Sequence, residues 1–217
     1  MDFAAARYNM VENQLRTNGI SDPLVTQALA TTPREVFLPK AMRGFAYVDE
    51  NVQIGSGRFL VAPLVLARVL QAAEIKLSDV VLTIGDATGW ASAVVSRLAS
   101  TVVSLECEAD LVSRASAALS ELGCDNVAVV RGPLDGGYPA QGPYDVILFI
   151  GAVAEIPPVF GRQLADRGRM VGIVNNGVGV GKMVRMVRAG DTFGRWTLFD
   201  ATTPYLPGFS PKHGFKF

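Results

Sequence analysis

The spacing of apolar residues along this chain changes near residue 63. In the first 62 residues apolar positions recur at helical intervals and then lose their period. Tyr8, Val11 and Leu15 share one helical face, which Asn18-Gly19 terminates. Asp22-Pro23 opens a second helix, with Pro23 in the first turn and Leu24, Val25, Ala28 and Leu29 directed inward, and Thr32-Pro33 closes it. Residues 39–62 carry Pro39, Gly44, Gly55 and Gly57, a pattern that predicts a long loop or short edge strands. Loops of that length are often functional.

From Pro63 onward, short unbroken apolar runs alternate with helical stretches, the pattern of parallel strands buried on both faces. A helix runs from Pro63 through Leu70, a strand over residues 80–84, and a helix from Trp90 to Leu98. Then come a strand over 102–105, a helix from Ala109 to Leu122 stopped by Gly123, and a strand over 127–130. Further strands over 146–150 and 170–174, with a Pro158-initiated segment between them, extend the same sheet. Residues 183–199 alternate as an antiparallel pair about a turn at Arg188-Ala189-Gly190-Asp191. The expected fold is α/β: a doubly wound, mostly parallel sheet with helices on both faces. A helical N-terminal extension with a long loop (1–62) precedes one compact unit (63–217) that ends in the antiparallel strands.

Composition narrows the function classes. At 217 residues with 49% hydrophobic and 18% charged, the chain can bury a substantial core. Twenty Lys and Arg balance twenty Asp and Glu, and a surface that tracks phosphates needs a basic excess, so nucleic acid is not an expected partner. Cys107 and Cys124 have neither C-x-x-C spacing nor a disulfide framework, which implies inert thiols in a reducing compartment. The single histidine, His213, cannot supply a His-rich zinc site or a hydrolase triad, and no metal is expected. Met1-Asp2-Phe3-Ala4 does not start a signal peptide, and no run of 18 apolar residues occurs. A soluble cytoplasmic protein without a membrane partner is expected.

Open parallel sheets bind ligands beyond the carboxyl ends of their strands. The loop after the strand at 80–84 is Gly85-Asp86-Ala87-Thr88-Gly89-Trp90, where glycines allow a sharp turn and close approach of a ligand to the backbone. About 20 residues on, at the end of the next strand, Glu106 stands where an acid accepts hydrogen bonds from both hydroxyls of a ribose. Taken singly, the glycines could serve packing, and Glu106 could pair with a cation such as Arg131. Together they imply a nucleoside-containing cofactor. A nicotinamide enzyme is disfavoured, because the loop lacks the third glycine of the dinucleotide fingerprint.

Over most of its length the chain resembles the protein-L-isoaspartate O-methyltransferases. The resemblance is carried by Met10-Val11-Glu12-Asn13-Gln14-Leu15-Arg16, Arg34-Glu35-Val36-Phe37-Leu38-Pro39, Ala46-Tyr47 with Asp49, Gly57-Arg58 and Pro63. It continues through Val81-Leu82-x-Ile84-Gly85, Ser104-Leu105-Glu106, Gly137-Tyr138-Pro139, Pro143-Tyr144-Asp145 and Glu155-Ile156-Pro157. It implies a Rossmann-like methyltransferase fold, S-adenosyl-L-methionine as cofactor and isoaspartyl-containing damaged polypeptides as substrate. Gly85, Asp86, Gly89, Glu106 and Gly132 would line the cofactor.

The chain departs from that family at the reaction centre. The family's Thr-Ile-Ser-x-Pro, whose hydroxyls lie close to the reacting atoms, here reads Phe59-Leu60-Val61-Ala62-Pro63, so Phe59 replaces the threonine and Val61 the serine. The glycine loop lacks the family's middle glycine. The family's Gly-Asp-Gly, whose acid accepts from the adenine amine, becomes Gly132-Pro133-Leu134. A carboxylate with a pKa near 4 needs no general base to take a methyl group, so the enzyme's task is alignment, worth about 7–11 kcal/mol. An orienting hydroxyl is worth about 1–3 kcal/mol, roughly ten- to a hundredfold in rate. Weak isoaspartyl activity, a methyltransferase of altered substrate and a degenerate polypeptide-binding module are the three outcomes these departures leave. Trp90, at an aromatic position of the family, is expected to pack in the core.

Overall fold

Val80–Ile84 (β3) lies in the interior of a seven-stranded sheet, paired in parallel with strands on both sides. The computed structural model describes residues 1–55 and 57–211; His213 lies outside them. On one side β3 pairs with Thr101–Glu106 (β4), which pairs with Val127–Arg131 (β5). On the other it pairs with Tyr144–Val153 (β6), followed by Leu164–Val174 (β7). Lys182–Ala189 (β8) and Thr192–Asp200 (β9) then add antiparallel strands at the edge. The chain winds outward from β3 to β5 and returns to the opposite side at β6. The crevice between the carboxyl ends of β3 and β6 is therefore the topological switch point.

One face of the sheet carries helices Pro63–Ala73 (α3), Trp90–Val95 (α4) and Ala109–Glu121 (α5). Met10, Leu15, Val25 and Leu29 from the N-terminal residues share one apolar core with Leu66 and Leu70 of α3, Trp90 of α4 and Val81 of β3. Helix Pro158–Gln163 (α6) and the segment carrying Leu206 and Phe209 cover the other face. Phe149, Phe160 and Phe209 meet there, the first two edge to face with ring centroids 4.9 Å apart. No helix among the described residues is long and apolar enough to cross a membrane.

The expected strands all form, most of them with a residue or more added at their ends. Two assignments in the N-terminal helices are corrected: the shared face of Tyr8 with Val11 and Leu15, and the inward direction of Leu24. Phe3–Asn9 (α1) passes into a π-helical turn at Met10–Leu15, which widens the helix and shifts its phase. Met10, Val11 and Leu15 are buried as a result, but Tyr8 is 65% exposed. In Pro23–Thr31 (α2), Asp22 accepts hydrogen bonds from the backbone N–H groups of Leu24 and Val25, and Val25, Ala28 and Leu29 are buried. Leu24, next to the cap, is 52% exposed. The stretch 39–62 forms short 3₁₀ turns and a hairpin of Val52–Gly55 (β1) and Arg58–Leu60 (β2).

A buried cation locks α3 to the sheet. Arg169 on β7 donates through Nε to the Ala73 carbonyl at 2.5 Å, and through Nη2 to the Glu74 carbonyl and Asp79 Oδ2. It thereby satisfies carbonyls at the C-terminus of α3 and a carboxylate at the entry to β3. Arg169→Ala should cost about 3–5 kcal/mol, because it strands a buried acid. Arg169→Lys should recover only part of that, because an ammonium lacks the planar fork. Leu24→Ser should change stability by no more than about 0.5 kcal/mol. Urea unfolding of the three variants checks all of this.

Candidate functional site

β3 ends at Gly85, whose φ of 76° puts it in the left-handed region that glycine adopts without strain. The chain turns again at Gly89 (φ 88°), the N-cap of α4. Between them Asp86 is buried, and its carboxylate accepts from the backbone N–H groups of Gly89 (3.2 Å) and Ser92 (2.7 Å). Burial pushes the Asp86 carboxyl up, against the opposing pull of the Ser92 and Gly89 N–H groups. Asp86, expected to contact a cofactor, has its carboxylate on N–H groups at the start of α4. Behind it the Ser92 hydroxyl bridges Thr83 and Ser104 at 2.9 Å each, seating α4 on β3 and β4.

Glu106 ends β4 and is fully buried. Its partner is Arg58 of β2, not Arg131. Arg58 Nη1 and Nη2 reach Glu106 Oε1 and Oε2 at 2.6 Å each, a two-pronged pairing, and Nη2 also donates to the Gly85 carbonyl at 3.2 Å. The backbone N–H groups of Cys107 (2.7 Å) and Glu108 (3.1 Å) complete the shell around Oε1. Arg131 is exposed and donates instead to the Cys107 carbonyl at 3.3 Å. Burial alone would raise the Glu106 carboxyl, but the Arg58 bonds outweigh it and hold the group below its ordinary value. Burial and the Glu106 charge push the neighbouring Cys107 thiol up, which disfavours the reactive thiolate. Glu106, Cys107 and Glu108 converge within 4.8 Å, and the cation that meets them is Arg58.

Residues Thr203 to Phe209 cross the switch point from the other side. The Pro204 carbonyl accepts from Ala152 N–H and the Leu206 N–H donates to the Ala152 carbonyl, both at 2.9 Å, while Ala154 N–H donates to the Phe209 carbonyl at 2.8 Å. The Leu206 side chain fills the notch left by two glycines. A β-carbon on Gly85 would lie 2.4 Å from Leu206 Cδ2, and one on Gly151 would lie 2.6 Å from it. Phe59 and Val61 line what remains, with Arg58, Gly85, Ile150 and Leu206: a cavity of about 20 Å³. That is room for a water molecule, whereas ligand pockets run to roughly 300–1,000 Å³. No ligand-sized space remains between these residues. Gly89 and Gly132 do not line the cavity; Gly132 donates its N–H to the Glu106 carbonyl at 3.0 Å.

Val61 is held from below. Buried Arg34 donates Nη1 to the Val61 carbonyl at 2.7 Å and Nε to the Ala46 carbonyl at 2.5 Å. Its guanidinium lies 4.1 Å from the centroid of Trp90, which is buried in the core as expected. Burial pushes the Arg34 pKa down to about 9. Arg34, Arg58 and Leu206 were not among the expected site residues, although Arg58 has a sequence signal: it is the single charged residue between Asn51 and Pro63.

The Glu106–Arg58 pair sets a pH dependence. Because the folded carboxyl titrates below its unfolded value of about 4.3, its contribution is complete above that pH and is lost as the pH falls through the folded value. Glu106→Gln should therefore cost about 3 kcal/mol at pH 7, with the gap to the parent closing below about pH 4. Thermal unfolding of both proteins between about pH 3 and pH 8 measures this.

Comparison with known proteins places this geometry. The family model for protein-L-isoaspartate(D-aspartate) O-methyltransferase matches residues 6–198. The chain is 39% identical over 192 residues to the protein-L-isoaspartate O-methyltransferase of Roseiflexus castenholzii (strain DSM 13941 / HLO8), covering 88% of this chain and 87% of that one. It is 37% identical over 186 residues to protein-L-isoaspartate O-methyltransferase 1 of Rhodopseudomonas palustris (strain HaA2), covering 86% and 76%. A solved protein-L-isoaspartate O-methyltransferase shares the fold with a TM-score of 0.81 at 24% identity, over 94% of this chain and 67% of that one. Given this fold and these relatives, the chain belongs to the protein-L-isoaspartate(D-aspartate) O-methyltransferase family.

Proposed function

We propose that this protein is an S-adenosyl-L-methionine-dependent O-methyltransferase that esterifies isoaspartyl carboxylates in damaged polypeptides. The observation that carries the reading is the position of Glu106. It ends the strand next to β3, across from the Gly85 turn at the switch point, in a chain that matches the family over residues 6–198. A Plasmodium falciparum protein assigned to the beta-aspartate methyltransferases, with a TM-score of 0.78 to this chain at 18% identity over 91% of this chain and 96% of that one, was crystallised with S-adenosyl-L-homocysteine. Free Cys107 and Cys124 support a cytoplasmic setting.

The cofactor supplies an electrophilic methyl group when bound, and the incoming carboxylate is already ionised at neutral pH. The protein's task is to open the switch point, align the two reactants and keep water out. Glu106 would hold the ribose hydroxyls and Gly85 would let the backbone come close. Arg34 fixes the backbone at Val61, so the strip at residues 59–61 cannot drift from the centre. A cleft of about 540 Å³ is lined by Ala62, the residue after Val61, together with Asn51, Arg68 and Phe199, and offers a polypeptide a surface beside the strip. Along the strip, Phe59 and Val61 offer the carboxylate no donor, so it loses water without replacement. That slows the reaction without removing an essential atom.

The same two side chains favour a second reading, a family member that binds polypeptides without methylating them. Transfer of labelled methyl groups to an isoaspartyl peptide decides between the two: base-labile methyl esters are expected, and none would form on the second reading. Phe59→Thr with Val61→Ser should raise the transfer rate by about tenfold or more. No gain, with cofactor binding intact, would place the deficit away from this strip.

A further inference from the structure

Arg58 occupies the acceptor that a ribose would use. A guanidinium edge and a vicinal diol are both two-pronged donors, and the one edge of Glu106 that spans both oxygens admits a single fork at a time. The guanidinium also brings a full charge into a buried position, with Arg58 4% exposed and Glu106 0%. A neutral diol therefore cannot displace it at equal cost. On the opposite wall, Leu206 rests on Gly85 and Gly151, the backbone beside which the rest of an adenosyl ligand would have to pass. The Leu206 strap is held by backbone bonds to β6 and by Phe209 packed edge to face on Phe149.

The geometry points to a latch. We infer that the protein rests in a closed state in which Arg58 takes the place of the ribose and Leu206 that of the adjoining part of the ligand. An adenosyl ligand then binds only when Arg58 leaves Glu106. This inference rests on the methyltransferase reading above. Glu108 supplies the other position of the latch. It lies 3.4 Å from Arg58 Nη1, and its side chain is 38% exposed, so Arg58 can swing to the rim and keep an acidic partner while Glu106 becomes free. Closure lowers the apparent affinity by the fraction of molecules that are open, and weakening either wall raises that fraction.

Calorimetric titration with S-adenosylhomocysteine tests the latch on the parent, Arg58→Gln and Leu206→Ala. Arg58→Gln keeps an amide that can bond one oxygen of Glu106 but gives up the fork and the charge, and should bind about tenfold tighter or better. Leu206→Ala leaves the ion pair whole and should tighten binding by about threefold or more, so it decides the matter if Arg58→Gln does not fold. Adenosine, which carries the ribose without the methionine, should gain from Arg58→Gln by a similar factor; a general loosening of the fold would not produce that match. If the parent binds and neither variant binds more tightly, the latch is wrong and the methyltransferase reading stands. If none of the three binds at about 1 mM ligand, no cofactor site lies behind the closure and both are wrong.

Discussion

A carboxylate buried at the end of a parallel strand is costly without partners, and Glu106 obtains a counter-charge from a residue 48 positions earlier. That requirement draws the β1–β2 hairpin onto the carboxyl edge of the sheet and brings the apolar strip at residues 59–61 over the switch point. It also lets Arg58 reach the Gly85 carbonyl, so one guanidinium ties the hairpin to both β3 and β4. The cost of exposing or orphaning Glu106 thus dictates where the least regular part of the chain comes to rest.

A second cation does related work without an acid in hydrogen-bond contact. Arg34 is fully buried, and its charge is met by two carbonyls and the face of Trp90. Tyr47 accepts from the Arg34 backbone N–H at 3.3 Å and donates its own proton to Glu35, linking the segment to an acidic group one step removed. The consequence is positional. Val61 is pinned by its carbonyl, so the side chain at 61 can change while the backbone stays in place.

Much of the fold was legible because parallel strands announce themselves. The run Val80–Ile84 needs no partner to be recognised, and Asp22-Pro23 marks a helix start through chemistry confined to a few residues. Tyr8 and Leu24 were misplaced for local reasons that a fixed 3.6-residue period cannot represent: a widened turn in one case, a position beside the cap in the other. The glycine turn and Glu106 stood out in the sequence as a pair at the ends of adjacent strands. Their packing partners did not, since Arg58 and Leu206 reach them from 48 positions before Glu106 and 100 after, and no periodicity encodes such contacts. Asp86 lay between these cases. An acid just ahead of a helix signals a cap as readily as a ligand contact, and Asp86 does hold N–H groups at the start of α4.

Leu206 and the two glycines beneath it form a single unit for sequence change. A methyl group added at either Gly85 or Gly151 would fall within 2.6 Å of the Leu206 side chain, and at Gly85 it would also meet a left-handed backbone. Position 151 therefore gains a side chain more easily in a lineage that has already shortened residue 206, and the reverse order first displaces the Leu206 side chain. Among descendants of this chain, the identity at 206 constrains what 85 and 151 can become, and the history of substitutions there has a preferred direction.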